Sequence, residues 1–247
     1  METTKYTIEI ATTDYTTVKS AVEGGADRIE LCTALSEGGL TPSFGLIQQC
    51  RKDFDVTLFP IIRCRAGDFL YTEAEFEVMK KDALLCKQAG CDGVVIGFLN
   101  RDGRINKKWT AELVKLVYPL EVTFHRAFDR CRDPFEALED IIDAGCQRIL
   151  TSGQQPTAPQ GMELIRQLVA AANDRIIILP GSGVRVNNIK ELAEKTGAVE
   201  FHSSLKSKAR SRMDFVHPAF ADSEESYYTS AIEADEVKAL RAALMEG

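Results

Sequence analysis

Asp133-Pro134-Phe135-Glu136-Ala137-Leu138-Glu139-Asp140-Ile141-Ile142-Asp143-Ala144-Gly145-Cys146-Gln147-Arg148-Ile149-Leu150 reads as one complete helix–turn–strand unit. Asp133 is the N-cap, Pro134 takes the first helical position and Glu136 stands at N3, the layout of a capping box. A helical pattern follows over 134–143, and Gly145 supplies the left-handed residue that ends it. Arg148–Leu150 then starts a strand. The same joint recurs at Gly25-Ala26, Gly90-Cys91 and Gly197-Ala198, each closing a helix and opening a strand. Four copies of one joint indicate a repeating unit wrapped with quasi-symmetry.

Working outward, strand patterns fall at Tyr6–Ile10, Arg28–Leu31, Thr57–Ile62, Gly93–Gly97, Glu121–His125, Arg148–Leu150, Arg175–Leu179 and Val199–His202. Their starts are 22, 29, 36, 28, 27, 27 and 24 residues apart, the length of one βα unit. Helical periods lie between them, as at Glu75–Gln88, which Thr72 caps, and at Met162–Ala172. Strand alternating with helix demands right-handed crossovers and a parallel sheet. Eight units close most economically into a single (β/α)8 TIM barrel, because an open sheet would leave bare edges. Residues 1–247 are expected to form that one domain, with 203–228 as a long polar connection and 232–245 as a last helix.

Composition narrows the function. The 247 residues carry 37 acidic and 30 basic side chains, a net charge of −7, with no long basic run. That argues against nucleic acid as the main partner. The start, Met1-Glu2-Thr3-Thr4-Lys5-Tyr6, lacks the layout of a signal peptide, and no apolar run is long enough to span a bilayer. Seven scattered cysteines without a Cys-x-x-Cys pair read as reduced thiols of a cytoplasmic protein, with no structural zinc.

Polar residues inside the strands mark the chemistry. Counting five residues from the joint glycines reaches Glu30, Val95, Leu150 and His202, so Glu30 and His202 sit late in their strands, at the end where barrels carry active sites. Glu9 lies between apolar neighbours in the first strand and must be paired or directed to water. Arg63, Arg65, His125, Arg126 and His202 end other strands and are its available partners. Such a set would serve general acid–base chemistry, with Glu9 or Glu30 taking a proton, His125 returning it, His202 as a further catalytic group, and Arg63, Arg65 and Arg126 holding an anion. The alternative is an ion-pair network tying strands together.

Gly181-Ser182-Gly183 after strand seven and Ser203-Ser204 after strand eight occupy the loops that often cup a phosphate in barrels, and Thr151-Ser152 after strand six would add donors. The same glycines would also suit a tight turn. Cys32 ends strand two beside Glu30, and Cys64 lies between Arg63 and Arg65. Arginines would depress the thiol pKa values and let the pair bind Cu(I), although a lone cysteine also behaves as a small hydrophobe. Lys206, Lys208, Arg210 and Arg212 read as a solvated face.

Longer strings carry a resemblance. Ala26-Asp27-Arg28-Ile29-Glu30-Leu31-Cys32, Leu35-Ser36-Glu37-Gly38-Gly39-Leu40-Thr41-Pro42-Ser43, Arg65-Ala66-Gly67-Asp68-Phe69-Leu70-Tyr71 and Val122-Thr123-Phe124-His125-Arg126-Ala127-Phe128-Asp129 resemble the signature of the CutC copper homeostasis proteins. Arg148–Gly153 and Glu200–Ser203 continue the match, which covers about residues 6 to 205. The resemblance implies a cytoplasmic TIM barrel, a homodimer or higher homo-oligomer, and a role in copper handling with a copper ion as ligand. In some relatives cysteines ending strands one and two are the proposed copper ligands. Cys32 matches the second, but Ala11 stands at the first, and Arg63-Cys64-Arg65 replaces a common Arg-Pro-Arg. The groups gathered at the strand ends also fit an enzyme acting on a small phosphorylated or carboxylated metabolite.

Overall fold

The computed structural model describes residues 6–220 and 227–245. Eight parallel strands alternate with helices: β1 Thr7–Thr12, α1 Tyr15–Glu23, β2 Arg28–Leu31, α2 Phe44–Asp53, β3 Thr57–Pro60, α3 Glu73–Gln88, β4 Gly93–Ile96, α4 Lys107–Val117, β5 Glu121–Phe124, α5 Pro134–Ala144, β6 Arg148–Thr151, α6 Met162–Ala172, β7 Ile177–Pro180, α7 Ile189–Thr196 and β8 Glu200–Ser203. They pair as two four-stranded halves, β3-β2-β1-β8 and β4-β5-β6-β7. A parallel bridge, Ile61 to Val95, stitches β3 to β4, with Ile62 N–H donating to Val95 O at 2.8 Å. The other seam, β7 against β8, is a side-by-side approach. The expected TIM-barrel architecture is present.

The repeated joint has the predicted cause. Gly25, Gly90, Gly145 and Gly197 all have φ between +75° and +90°, where a side chain would be strained. One cap differs in detail from its sequence pattern. Asp133 accepts from Phe135 N–H and Glu136 N–H, but the Glu136 carboxylate takes Arg104 at 2.9 Å. An ion pair to the neighbouring unit therefore takes the place of the reciprocal half of the box.

Side chains alternate across the strands, so each strand has an inner and an outer row. The outer row, including Ile8, Ile10, Ile29, Leu31, Phe124, Ile149 and Phe201, packs under the helices as the main core. The inner row differs in character. Cys32, Phe59, Ile61 and Val95 form a small separate apolar cluster, and most of the remaining interior is charged. Gly93 makes room for it: a Cβ there would lie 2.4 Å from the Phe59 ring.

Beyond β8 the described residues are more ordered than one long polar connection, and 221–226 of the expected 203–228 stretch lie outside them. Ser207–Arg210 (β9) pairs antiparallel with Tyr228–Ala231 (β10), and Pro218–Phe220 is a short 3-10 turn. The last helix, α8, covers Ala234–Met245 and packs near α1 and α7.

Candidate functional site

The inner row of β1, β2 and β8 builds the floor of the site. Strand register sets Glu9 beside both Arg28 and His202. Arg28 donates to Glu9 and to Glu200, Arg148 donates to Glu200 at 2.8 Å and to Glu121, and His202 Nδ1 lies 2.7 Å from Glu9 Oε1. Phe59 lies under both guanidiniums, 5.2 Å from Arg28 and 5.6 Å from Arg148. Charges thus alternate along the barrel axis from Glu121 to His202. Four carboxylates (Glu9, Glu30, Glu121, Glu200) share two guanidiniums (Arg28, Arg148), and at the upper end the His202 imidazole stands between Glu9 and Glu30.

This sharing explains the protonation pattern. Burial would raise the Glu9 carboxyl, but the Arg28 charge and the hydrogen bond from His202 prevail and hold it at about 2. Glu30 lacks a guanidinium of its own. Burial, reinforced by repulsion from Glu9, lifts it to about 7 against the attraction of His202. Burial would lower His202, but the charges of Glu30 and Glu9 and the Glu9 hydrogen bond raise it. His202 Nε2 stands 3.9 Å from Glu30 Oε2.

Above this floor a cavity of about 430 Å³ opens at the C-terminal ends of the strands. Of the residues singled out from sequence, Glu30, Arg63, His125, Arg126, Ser182, Gly183 and His202 line it. Glu9 lies beneath it, fully buried and held ionised. Thr151, Ser152 and Arg126 are gathered by Asp129, whose carboxylate accepts from the Thr151 hydroxyl, Ser152 N–H and hydroxyl, Gln154 N–H and Arg126 Nε. Gly181 packs where a Cβ would meet Leu150 at 2.4 Å, and Ser203 is spent on Val184 O and Arg185. Arg65 does not join the cavity lining; it pairs with Glu75 and Asp68 and lies 4.7 Å from the Tyr71 ring centre.

The two thiols part company. Cys32 belongs to the inner cluster and donates to Thr12 O at 3.3 Å, whereas Cys64 packs against the outer core. The expected lowering of their pKa values is reversed. Burial and then the Glu30 charge push Cys32 far up, and burial followed by the Glu75 charge raises Cys64 although Arg65 opposes it. Sequence reading passed over Arg28, Arg148, Glu200 and Glu121, and also Asp129, Arg185 and Lys206. Lys206 lines the cavity instead of only a solvated face. Polar residues two apart in one strand, Arg28 with Glu30 and Glu200 with His202, were the signal for a charged interior.

The fold and the polar cavity at the strand C-terminal ends define a (β/α)8 barrel with a charged interior, opening on the face where this architecture carries its sites. The CutC family model matches residues 6–207, and the chain belongs to the CutC family. The copper homeostasis protein cutC homolog of Homo sapiens is 44% identical over 216 residues, 87% of this chain and 79% of its own. A CutC family protein of Vibrio vulnificus is 48% identical over 213 residues, 85% of each chain. The crystal structure of a CutC copper homeostasis protein from Streptococcus agalactiae superposes with a TM-score of 0.77 at 28% identity, covering 81% of this chain and 98% of that one.

Proposed function

We propose that the chain works in copper homeostasis, the role its human and mouse relatives are named for, and that copper is held at the cavity floor by His202 and Glu30. The observation that carries this is the convergence of Glu9, Glu30 and His202, whose ligand atoms lie within 4.8 Å of one another. Glu9 fixes the imidazole through Nδ1 and leaves Nε2 for the ion, the usual carboxylate–histidine–metal arrangement. The 3.9 Å between Nε2 and Glu30 is a span that two metal–ligand bonds of about 2 Å can bridge. Imidazole with carboxylate is a donor set for cupric ion; cuprous ion prefers thiolate. Cys32 would have to lose a proton that burial and Glu30 both hold in place, with Cys64 on the other side of the sheet.

Competition titrations with cupric and cuprous chelators test this. One cupric ion per chain is expected, with affinity falling at least about 10-fold in Glu30→Gln, the scale of a lost ligand-shell group, and unchanged in Cys32→Ser. Cuprous binding abolished by Cys32→Ser, or no stoichiometric copper at all, would overturn the assignment.

The same reading includes a cytoplasmic location, supported by seven free thiols, and self-association. No helix among the described residues is long and apolar enough to cross a membrane. Phe215 and Phe220, between β9 and β10, are 67% and 57% exposed and both pack against His217, an apolar face suited to pairing with a second copy. Light scattering should give a multiple of the 27.3 kDa chain mass, reduced to one chain by Phe215→Ser with Phe220→Ser. A wild-type monomer across micromolar concentrations refutes it.

A further inference from the structure

Arg63 is a buried cation without an acidic partner. It is 3% exposed, and its guanidinium donates to the backbone carbonyls of Glu37 at 2.7 Å, Gly39 at 2.9 Å and Gly67 at 2.9 Å, with the uncharged Tyr71 hydroxyl beside it. No carboxylate pairs with it among the described residues, and its Nε has no hydrogen-bond partner. Carbonyl dipoles solvate such a charge in part but do not neutralise it, and an unpaired buried charge is unfavourable.

A second orphan stands close by. His125 is 4% exposed, and its Nδ1 accepts from Ala127 N–H at 3.1 Å. The proton of the neutral ring is therefore on Nε2, which is buried without an acceptor. Burial and then the Arg63 charge lower the ring to about 3, so it stays neutral and remains a donor. Both groups flank Phe69: the guanidinium lies 5.2 Å and the imidazole 4.9 Å from its ring centre. Gly97 is what lets the imidazole sit there, since a Cβ would lie 2.3 Å from the ring. All four residues named in the cavity wall, Arg63, Phe69, His125 and the cationic Arg185 across from them, line the same space.

A cation lacking a counter-ion and a fixed N–H lacking an acceptor define their complement. We propose that this cavity binds a small organic oxyanion, whose charge balances Arg63 and whose oxygen accepts from His125 Nε2. The shared chemistry is that of a phosphate monoester or a carboxylate; the two differ in charge and shape and are separated by the test. This goes beyond the copper assignment and does not depend on it. The anion uses the wall of the cavity, while the metal reading uses its floor.

The experiment is calorimetric titration of the metal-free full chain with inorganic phosphate, glycerol 3-phosphate and succinate, with uncharged glycerol as control. Saturable binding of one anion per chain is expected from the phosphates, from succinate, or from both, and none from glycerol. His125→Phe keeps a ring against Phe69 but removes the Nε2 donor. It should weaken binding about 10- to 100-fold, the range for a hydrogen bond to a charged group. If that variant does not fold, the wild-type imidazole reports instead, because the His125 Nε2 nitrogen resonance should shift on saturation with phosphate. Absence of saturable binding by every anion, equal affinity in His125→Phe, or an unmoved Nε2 resonance would each overturn the proposal. None of these bears on copper, since no metal is present.

Discussion

Arg28→Met should destabilise the barrel by about 3–5 kcal/mol, the range for removing one member of a buried ion network. Arg28 is 3% exposed and neutralises two carboxylates at once, Glu9 and Glu200. Methionine fills a comparable volume, so the loss reports charge more than packing. After the change Glu9 keeps only His202, and Glu200 keeps only Arg148. Against a total stability of about 5–15 kcal/mol, this is a large fraction. Urea unfolding would show it as a lower midpoint. Adding Glu9→Gln to Arg28→Met should recover part of the loss, because the stranded charge is then gone. A single-variant loss below about 1 kcal/mol, or strict additivity of the two changes, would mean the network is not what stabilises the interior.

How far the sequence discloses this molecule follows from what kind of signal each feature leaves. The repeated helix–glycine–strand joint is local chemistry, and so the eight-unit architecture was legible from Gly25, Gly90, Gly145 and Gly197. Strand ends shifted by a residue or two, as at β1, where pairing extends to Thr12. Glu30, His125 and His202 were legible as cavity residues because their positions late in strands fix which end they face. Their partners were harder. Arg28 and Glu200 are 172 residues apart in the chain, and only closure of the barrel sets them side by side. Glu9 looked like a proton acceptor, and its residue type alone gave no sign that Arg28 lies against it. The thiols failed for a related reason. Cys32 beside Glu30 and Cys64 between two arginines look alike as strand-end thiols, but strand alternation directs one inward and the other outward; burial and Glu30 act together on Cys32, and burial outweighs Arg65 at Cys64. The thread of residues Thr151, Ser152 and Arg126 resembled an open anion cradle until Asp129 was seen to take their donors.

The buried groups also dictate how stability of the metal-free protein should vary with pH. A group contributes a slope of about 1.4 kcal/mol per pH unit wherever folded and unfolded chains differ by one bound proton. Glu9 is depressed from 4.5 to about 2, so its stabilisation is present above 4.5 and lost as pH falls toward 2. His125 is depressed from 6.5 to about 3; the unfolded chain binds its proton first, and stability is lost as pH falls below 6.5. Glu30 acts in the opposite sense. Raised from 4.5 to about 7, it holds a proton in the folded chain, so stability is lost as pH rises from 4.5 to 7. His202 is raised above 6.5, and its stabilisation, full below 6.5, is lost as pH climbs through its folded value. Glu30 and His202 titrate as a pair, with the same sign near neutrality. Between 4.5 and 6.5 the contributions of His125 and Glu30 cancel, which gives a plateau. Below 4.5 Glu9 and His125 act together, at about 2.7 kcal/mol per pH unit. Exposed carboxylates such as Glu163 add a salt-screened background, so the decisive comparison is between variants. His125→Phe should turn the plateau into stability that rises by about 1.4 kcal/mol per unit as pH falls from 6.5 to 4.5. Glu30→Gln should tilt the same window the other way, with stability falling as the solution is acidified. Urea midpoints at half-unit intervals would resolve both slopes. A plateau that survives in both variants would show that neither His125 nor Glu30 is held away from its ordinary protonation in the folded barrel.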